Sequence, residues 1–450
     1  MGRRGNAGRL AVVAIAAAVL AVALLPRAGM QRRPGRIPVR FWHMWTGEWK
    51  DVVDRIVARY NASQDKYEVV ALSVPSAGAD SKFLLGVVGG DPPDVMAQWN
   101  AVIPTWAENR LLLPLDELMT PEERDRFDRE AYPIVKKLGT YKGHLYGLTT
   151  GINIWACYYL PAQFREAGLD PDHFPRTLEE LQAEADRLTR RDKAGNITRI
   201  GFLPNTFLMY APLFGGGFYD WQHGRLTIDT PANLRALTYL AEERRKLGYD
   251  NVVRYEAGLN GTNVQTGGIE WPFISGAYSI TVDGQWRVEQ IGKYAPNLDY
   301  RIAPLPPPAG GKRYGGRSNG NFMIIPRGSK QPEGAWDFVK FWSGLSHPER
   351  AAEFYTWGGW LPLSPAIAEA PAYQAYLRKY PQFRQFLTIL SSPNIEPLPP
   401  VPYQVFLNDR ISSTEDSVVR GTIAPEAALK TLTADVEQER ARRREMGYAE

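Results

Sequence analysis

The segment that follows residue 36 alternates short apolar strands with amphipathic helices. Residues 39–42 are largely β-branched or aromatic and predict a strand, and residues 52–60 carry apolar side chains on one helix face. A second predicted strand covers residues 67–72, a short helix stops at Gly89-Gly90, and a third strand covers residues 95–97. Parallel strands require helical crossovers, so this β-α-β-α-β order predicts an α/β fold with a largely parallel, doubly wound sheet.

The length and charge of the chain limit its architecture and its partners. A chain of 450 residues exceeds one ordinary core, so two lobes are expected. The net charge of +4 is misleading, because residues 1–36 contain seven arginines and no acidic residue. The body of the protein, residues 37–450, therefore carries a net charge of −3. A slightly acidic body does not favour nucleic-acid binding, and no nucleic-acid partner is expected.

The N-terminus has the pattern of an export signal. Three arginines precede an unbroken apolar run over residues 10–25, which Pro26 ends. Sixteen residues are shorter than the roughly 20 that span a bilayer, and match the apolar part of a secretory signal. Residues 1–36 are therefore predicted to be a signal peptide or an uncleaved N-terminal membrane anchor. The body is predicted to be exported, to the periplasm or the outer face of the cytoplasmic membrane.

Metal and cofactor chemistry have little support in the sequence. The five histidines are dispersed, and the single cysteine, Cys157, stands among apolar residues and is expected to be buried. No phosphate-binding loop or dinucleotide fingerprint occurs. We therefore expect no metal site and no cofactor.

One catalytic motif matches as a string. Residues Gly316-Arg317-Ser318-Asn319-Gly320 fit G-x-S-x-G, the nucleophile elbow of α/β-hydrolases. That elbow needs a strand before the serine and a helix after it, whereas an apolar strand-like run follows here. We therefore favour a glycine-rich turn that leads into a strand, and no catalytic residue is predicted. An exported serine hydrolase that uses Ser318 remains the alternative.

The tryptophans and their polar neighbours indicate a binding site. Of thirteen tryptophans, several follow predicted strands, as in residues 42–45 and 98–100. Ligands of open parallel sheets bind beyond the carboxyl ends of the strands. An indole ring packs against the C–H face of a sugar, and planar amides suit its hydroxyls. Core packing is the competing interpretation for each ring, and Trp336, Phe338 and Trp342 on one helix are assigned to the core.

Several separated stretches together resemble a known family. They are residues 39–42, Gly90-Asp91-Pro92-Pro93-Asp94-Val95, Leu145-Tyr146-Gly147-Leu148, residues 158–169, residues 273–286 and residues 335–341. In this order they resemble the extracellular solute-binding proteins of bacterial ABC importers, specifically the sugar-binding group that includes maltose-binding protein. The chain departs from the family at Leu160, where an asparagine usually follows two tyrosines.

The resemblance implies a periplasmic-binding-protein-like fold, with a ligand cleft between two lobes and three crossover segments. Lobe one is expected at 37–150 and 283–327, and lobe two at 151–282 and 328–450. The implied function is the extracytoplasmic substrate-binding component of an ABC transporter. It would be a monomer that binds a carbohydrate by hinge closure, delivers it to a membrane permease, and catalyses no reaction.

The resemblance also implies which residues contact the ligand. They are His43, Trp45, Gln98, Trp99, Asn100, Asn205, Phe207, Tyr210, Asp283, Trp286, Gly316, Arg317, Asn319, Trp357, Trp360 and Tyr403. Arg317 has a second meaning, because a guanidinium fixed in a cleft would suit a phosphate or carboxylate. A binding protein for polyol phosphates of the glycerol-phosphate type therefore stays open beside one for neutral sugars, as does a solvated loop position for Arg317.

Overall fold

A computed structural model of the chain describes residues 35–204, 206–259 and 271–448. The apolar run at 10–25 and the predicted ligand residue Asn205 lie outside the described residues. The strands are β1 (Ile37–His43), β2 (Tyr67–Ser73), β3 (Val95–Trp99), β4 (Thr140–Tyr141), β5 (His144–Leu145), β6 (Gly147–Tyr159), β7 (Arg190–Arg191), β8 (Ile197–Arg199), β9 (Tyr219–Asp220), β10 (Arg225–Leu226), β11 (Ile280–Gly284), β12 (Arg301–Ala303), β13 (Gly316–Ile324) and β14 (Ile395–Glu396).

Helices connect and cover these strands. They are α1 (Gly47–Ser63), α2 (Ser76–Val88), α3 (Ile103–Glu108), α4 (Pro121–Glu130), α5 (Pro133–Gly139), α6 (Pro161–Glu166), α7 (Leu178–Leu188), α8 (Phe207–Leu213), α9 (Pro231–Leu247), α10 (Tyr249–Gly258), α11 (Arg287–Tyr294), α12 (Pro332–Ser343), α13 (Pro348–Gly358), α14 (Pro365–Glu369), α15 (Pro371–Lys379), α16 (Arg384–Leu390), α17 (Gln404–Val419) and α18 (Pro425–Glu445). Among these helices, none has the length and the apolar character needed to cross a bilayer.

The main sheet is mixed, with a parallel part where the sequence predicts one. Its order is β11-β6-β13-β3-β1-β2, with β12 paired to β6 and β14 to β13. β1 runs parallel to both β2 and β3, as the β-α-β-α-β pattern predicts. β13 then pairs antiparallel with β3 and with β6. The predicted α/β class is confirmed.

Strand β6 runs through both halves of the molecule. Residues 147–154 pair with β13 except Thr150, which lies at a register shift. The last five residues pair with β11, and residues 157–159 also pair with β12. At 13 residues it is longer than the usual five or six, because it has to serve two sheet regions. β6 is therefore a crossover strand, and β13 lies beside it.

Two apolar clusters define two lobes. The first gathers Phe41, Trp106 and Phe338, and the second gathers Phe164, Leu237 and Leu429. Each fully buried Phe or Leu side chain contributes about 1.5–3 kcal/mol, so each cluster can hold a lobe together. Cys157 is buried in the second cluster, as expected.

The C-terminal lobe boundary differs from the predicted one. Residues 332–390 belong to the first cluster, although 328–450 was assigned to lobe two. On α12, Phe338 packs edge-to-face on Phe41 of β1 at 5.2 Å, and Asp337 accepts a hydrogen bond from the Tyr60 hydroxyl at 2.8 Å. The apolar spacing of this helix indicates that it is buried without indicating in which core. Helices α17 and α18 do pack in the second cluster.

Candidate functional site

Two adjoining cavities lie between the lobes. The larger has a volume of about 680 Å³ and the smaller of about 280 Å³. Trp99, at the end of β3, lines both and is 38% exposed. The cavities therefore form one cleft with an exposed indole at their junction.

The floor of the cleft is one face of the two crossover strands. Alternate residues of a strand point to the same face, so Asn153 and Trp155 on β6 share a face with Arg317 and Asn319 on β13. The Asn153 amide donates a hydrogen bond to Asn319 Oδ1 at 2.8 Å. The Arg317 guanidinium lies over the Trp155 ring at 4.7 Å. Polar and aromatic groups thus line the floor where the lobes join.

The lobe-one wall of the larger cavity is aromatic. Trp45 and Trp360 line it, and both rings pack on the buried Trp342, at centroid distances of 5.7 and 5.9 Å. Trp286 also lines it, over Gly284, where a Cβ would come within 2.1 Å of the Trp286 ring. Only glycine permits that approach. The wall is therefore a rigid apolar surface supported from behind by the core.

The opposite wall comes from the second lobe. Arg244 on α9, Glu256 on α10 and Tyr278 reach the larger cavity. The Tyr278 hydroxyl donates to Glu256 Oε1 at 3.1 Å, and burial, followed by the nearby Glu256 charge, raises the pKa of this phenol. The wall facing the tryptophans is therefore polar.

Amides and carboxylates surround the smaller cavity. Gln98 accepts from the Trp99 backbone N–H at 2.8 Å and donates to Asp80 Oδ1 at 2.7 Å. Glu396 accepts from the Trp221 indole N–H at 2.5 Å. Burial raises the pKa of both carboxyls. Gln404 and Val405 at the start of α17 close the second-lobe side.

Arg317 brings a largely desolvated charge to this cavity. Burial lowers the pKa of its guanidinium, and the Glu415 carboxylate opposes that shift. Glu415, on α17, accepts a hydrogen bond from the Phe207 backbone N–H at 2.7 Å, and burial raises its pKa to about 7. No ion pair of Arg317 forms within 4.0 Å among the described residues.

Comparison with known proteins identifies the family. The sequence profile described as "Bacterial extracellular solute-binding protein" matches residues 46–344, more than half of the 450-residue chain. The chain belongs to this family. Membership in an extracellular family supports export of the chain.

Relatives and solved structures extend the likeness along the chain. It is 24% identical over 340 residues to the maltotriose-binding protein of Pyrococcus abyssi, covering 74% of this chain and 68% of the relative. It is 23% identical to the sn-glycerol-3-phosphate-binding periplasmic protein UgpB of Shigella dysenteriae, covering 76% and 78%. The structure of CpMnBP1 with mannotriose bound is similar at a TM-score of 0.75 and 25% identity, covering 88% and 99%. Xanthomonas citri MalE has the same fold, with a TM-score of 0.73, 22% identity and coverage of 92% and 100%.

The structure brings most of the predicted ligand residues of this solute-binding protein to the cleft. Trp45, Trp99, Asp283, Trp286 and Trp360 line the larger cavity, and Gln98, Trp99, Asn100, Arg317 and Asn319 line the smaller one. Asp283 also pairs with Arg287 at 2.8 Å. Burial raises the pKa of the Asp283 carboxyl, and Arg287 opposes the shift.

Other predicted ligand residues line neither cavity. His43 is buried between the rings of Phe41 and Trp45, and burial lowers its pKa to about 4. Phe207 and Tyr210 are buried on α8. The rings of Tyr403 and Trp357 lie beneath the guanidinium groups of Arg443 and Arg55. Gly316 pairs with Ile395 of β14. The position of a residue after a strand or within a motif does not reveal which way its side chain faces, and the assignment of these six residues to the ligand stays a prediction.

Some cleft residues escaped the sequence analysis. Asn153, Arg244, Glu256 and Tyr278 line the larger cavity. Asn153 had a detectable signal, because it is a polar residue at an alternating position within the apolar run 151–155. The others come from separate elements, and only the tertiary fold brings them together.

Ser318 does not occupy a nucleophile elbow. It lies inside β13, is buried, and its hydroxyl donates to the Asn153 carbonyl oxygen at 3.0 Å. An elbow would place the serine at a strand-to-helix turn with its hydroxyl exposed. The glycine-rich string is a strand of the cleft floor.

Proposed function

We propose that this protein is the extracytoplasmic substrate-binding component of an ABC importer and binds an oligosaccharide in the cleft. The proposal depends on one observation: a wall of tryptophans from lobe one faces a wall of polar groups from lobe two, with amide side chains on the floor between them. Indole rings pack on the C–H faces of sugars, and planar amides and carboxylates hydrogen-bond to their hydroxyls. Residues 1–36 would export the chain as a signal peptide or retain it as an anchor.

The size of the cleft supports an oligosaccharide. Cavities of about 680 and 280 Å³ meet at Trp99, and ligand sites commonly measure roughly 300–1,000 Å³. A chain of sugar units could follow the floor from one cavity to the other, with a ring at the junction stacked on Trp99. The maltotriose-binding relative and the mannotriose-bound structure support the same class of ligand.

Hinge closure follows from the crossover strands. β6 and β13 continue from one lobe toward the other, so rotation about them would open or close the cleft without breaking either core. A ligand that contacts both walls binds the closed state better and shifts the population toward it. The closed monomer would then deliver its ligand to the permease. In this proposal residues 332–390 move with lobe one.

Arg317 supports a second candidate ligand, a polyol phosphate such as sn-glycerol 3-phosphate. The Arg317 guanidinium, without an ion pair among the described residues, could bind a phosphate with two hydrogen bonds. The relationship to UgpB of Shigella dysenteriae points the same way. Asp80 and Glu396 line the same cavity and would repel an anion, which favours the neutral ligand.

Binding assays test the proposal directly. Intrinsic tryptophan fluorescence and thermal shift should respond to mannotriose or maltotriose, since a ligand that binds only the native state raises the midpoint. Trp99→Ala should weaken binding at least tenfold, because stacking is lost at the junction. Trp357→Ala is the matched control, since Trp357 packs beneath Arg55 outside both cavities. A response to sn-glycerol 3-phosphate alone would select the second candidate, and no response to any of the three would contradict both.

A further inference from the structure

Three amide side chains form a hydrogen-bonded series along the cleft floor, in which Gln285 and Asn153 border the larger cavity and Asn319 borders the smaller one. Gln285 Oε1 accepts from the Ile154 backbone N–H at 3.1 Å. Gln285 Nε2 donates to Asn153 Oδ1 at 3.1 Å, and Asn153 Nδ2 donates to Asn319 Oδ1 at 2.8 Å. Gln285 is 1% exposed and Asn153 8% exposed, so water offers them few alternative partners. These hydrogen bonds connect Gln285, the residue after β11, to both crossover strands, β6 and β13.

The backbone N–H of Ile154 sets the orientation of all three amide groups. An amide can be turned to exchange its oxygen and its NH₂ group, but a backbone N–H can only donate. The N–H of Ile154 therefore fixes the oxygen of Gln285, which fixes Asn153, which fixes Asn319. The Nδ2 group of Asn319 is the end of the series, and it has no hydrogen-bond partner among the described residues.

Asn100 is fixed in the same way from another strand. Its Oδ1 accepts from the Gly320 backbone N–H at 3.1 Å, which leaves its Nδ2 without a partner in the described part of the chain. Asn100 and Asn319 both line the smaller cavity. Two N–H donors, each anchored by a backbone N–H, thus belong to one end of the cleft.

We propose that Gln285 is a positioning residue that acts through Asn153 to make Asn319 a hydrogen-bond donor to the ligand. With Asn100, the floor of the smaller cavity then selects a ligand group that presents acceptor oxygens. This inference rests on the proposed function, since it assumes that the solute occupies the cleft. It adds that the floor presents hydrogen-bond donors rather than acceptors, which the identity of the lining residues alone does not define.

Two substitutions at position 285 distinguish positioning from simple support. When its carboxyl is ionised, Gln285→Glu keeps an acceptor for Ile154 but turns a second acceptor toward Asn153, so Asn153 and then Asn319 must reverse and present Oδ1 to the ligand. Affinity is therefore measured at alkaline pH, because a protonated carboxyl would donate to Asn153 Oδ1 as the wild-type amide does. Gln285→Met removes both hydrogen bonds and leaves Asn153 and Asn319 free to take either orientation. Affinity for mannotriose or maltotriose should fall 10- to 100-fold in Q285E and less than tenfold in Q285M. A merely structural role predicts the opposite order, and that order would overturn the proposal.

A spectroscopic measurement keeps the test valid if neither sugar binds or a variant folds poorly. In protein labelled with ¹⁵N-asparagine, the Asn319 NH₂ signals are assigned by their loss in Asn319→Asp. In the ligand-free wild type they should show the proton shifts of an amide without a protein acceptor, unlike those of Asn153. A hydrogen-bonded Asn319 NH₂ group in the wild type would contradict the proposal that Gln285 orients Asn319 through Asn153. A free NH₂ group together with no response to either sugar would contradict only the proposed ligand.

Discussion

The carboxylate of Asp94 accepts a hydrogen bond from the backbone N–H of Gln331 at 3.1 Å, joining the start of β3 to the entry of α12. The same carboxylate accepts from the backbone N–H groups of Lys330 at 3.0 Å and Arg40 at 2.8 Å. Asp94 is buried, and all three hydrogen bonds are part-buried. One side chain of the G-x-x-P-D-V motif thus attaches a segment more than 230 residues later to lobe one.

Asp94→Ala should destabilise lobe one. It removes the acceptor of three part-buried backbone N–H groups, and because water can partly replace it, the total loss should be about 3 kcal/mol rather than the full cost of three buried unsatisfied groups. Urea unfolding followed by circular dichroism measures the loss. Asp91→Ala is the control, because among the residues that the structure describes the Asp91 carboxylate forms only exposed ion pairs, with Arg40 and Lys330. The unfolding midpoint of this variant should stay unchanged. Equal midpoints for both variants would contradict this role of Asp94.

Trp342 should affect binding although it lies beneath the cleft wall. Its buried ring packs on Trp45 and Trp360, and Trp342→Phe leaves a space into which either ring can tilt. We expect a loss of about 1–3 kcal/mol in unfolding free energy and a severalfold weaker affinity for the bound sugar. Trp336→Phe serves for comparison, since Trp336 is equally a core residue of α12 but has no ring contact with the wall. A similar affinity in both variants would mean that the wall does not depend on Trp342.

Ser318→Ala tests the hydrolase alternative. Because the Ser318 hydroxyl donates to the Asn153 carbonyl within the floor, we expect a stability loss of about 1 kcal/mol and little change in sugar affinity. Hydrolysis of p-nitrophenyl acetate by the wild type should equal that of the variant. A rate in the wild type that disappears in Ser318→Ala would establish a nucleophile and contradict the binding-only function.

Local features of the fold were predictable from the sequence, whereas long-range placement was not. The strands and helices of residues 37–99 follow from apolar periodicity, because each buries its face against the next element in the chain. The sequence did not indicate that residues 332–390 pack in the first cluster, because the partners of α12, such as Phe41, are distant in sequence. An apolar helix face shows that a partner exists, but many partners would satisfy it.

The same distinction applies to the cleft. Trp99 and Asn100 were predictable because Trp99 ends the parallel strand β3 and Asn100 follows it, where the chain leaves the core. His43 also follows this rule in sequence, yet its ring turns inward between Phe41 and Trp45. Arg244 carries no local signal at all, since it lies in a charged part of α9 and reaches the cavity only through the packing of the second lobe.

Glu415 should make stability depend on pH in a defined direction. Burial raises its pKa to about 7 in the folded state, against roughly 4.3 in an unfolded chain, so the folded state holds this proton more tightly. The contribution is fully present below about pH 4 and is lost as the pH rises to 7, by about 3 kcal/mol in all. Glu415→Gln keeps an oxygen for the Phe207 N–H and removes the titration. Thermal midpoints across pH 4.5–8 should therefore show the variant gaining on the wild type as the pH rises, and parallel profiles would mean that Glu415 does not titrate in this range.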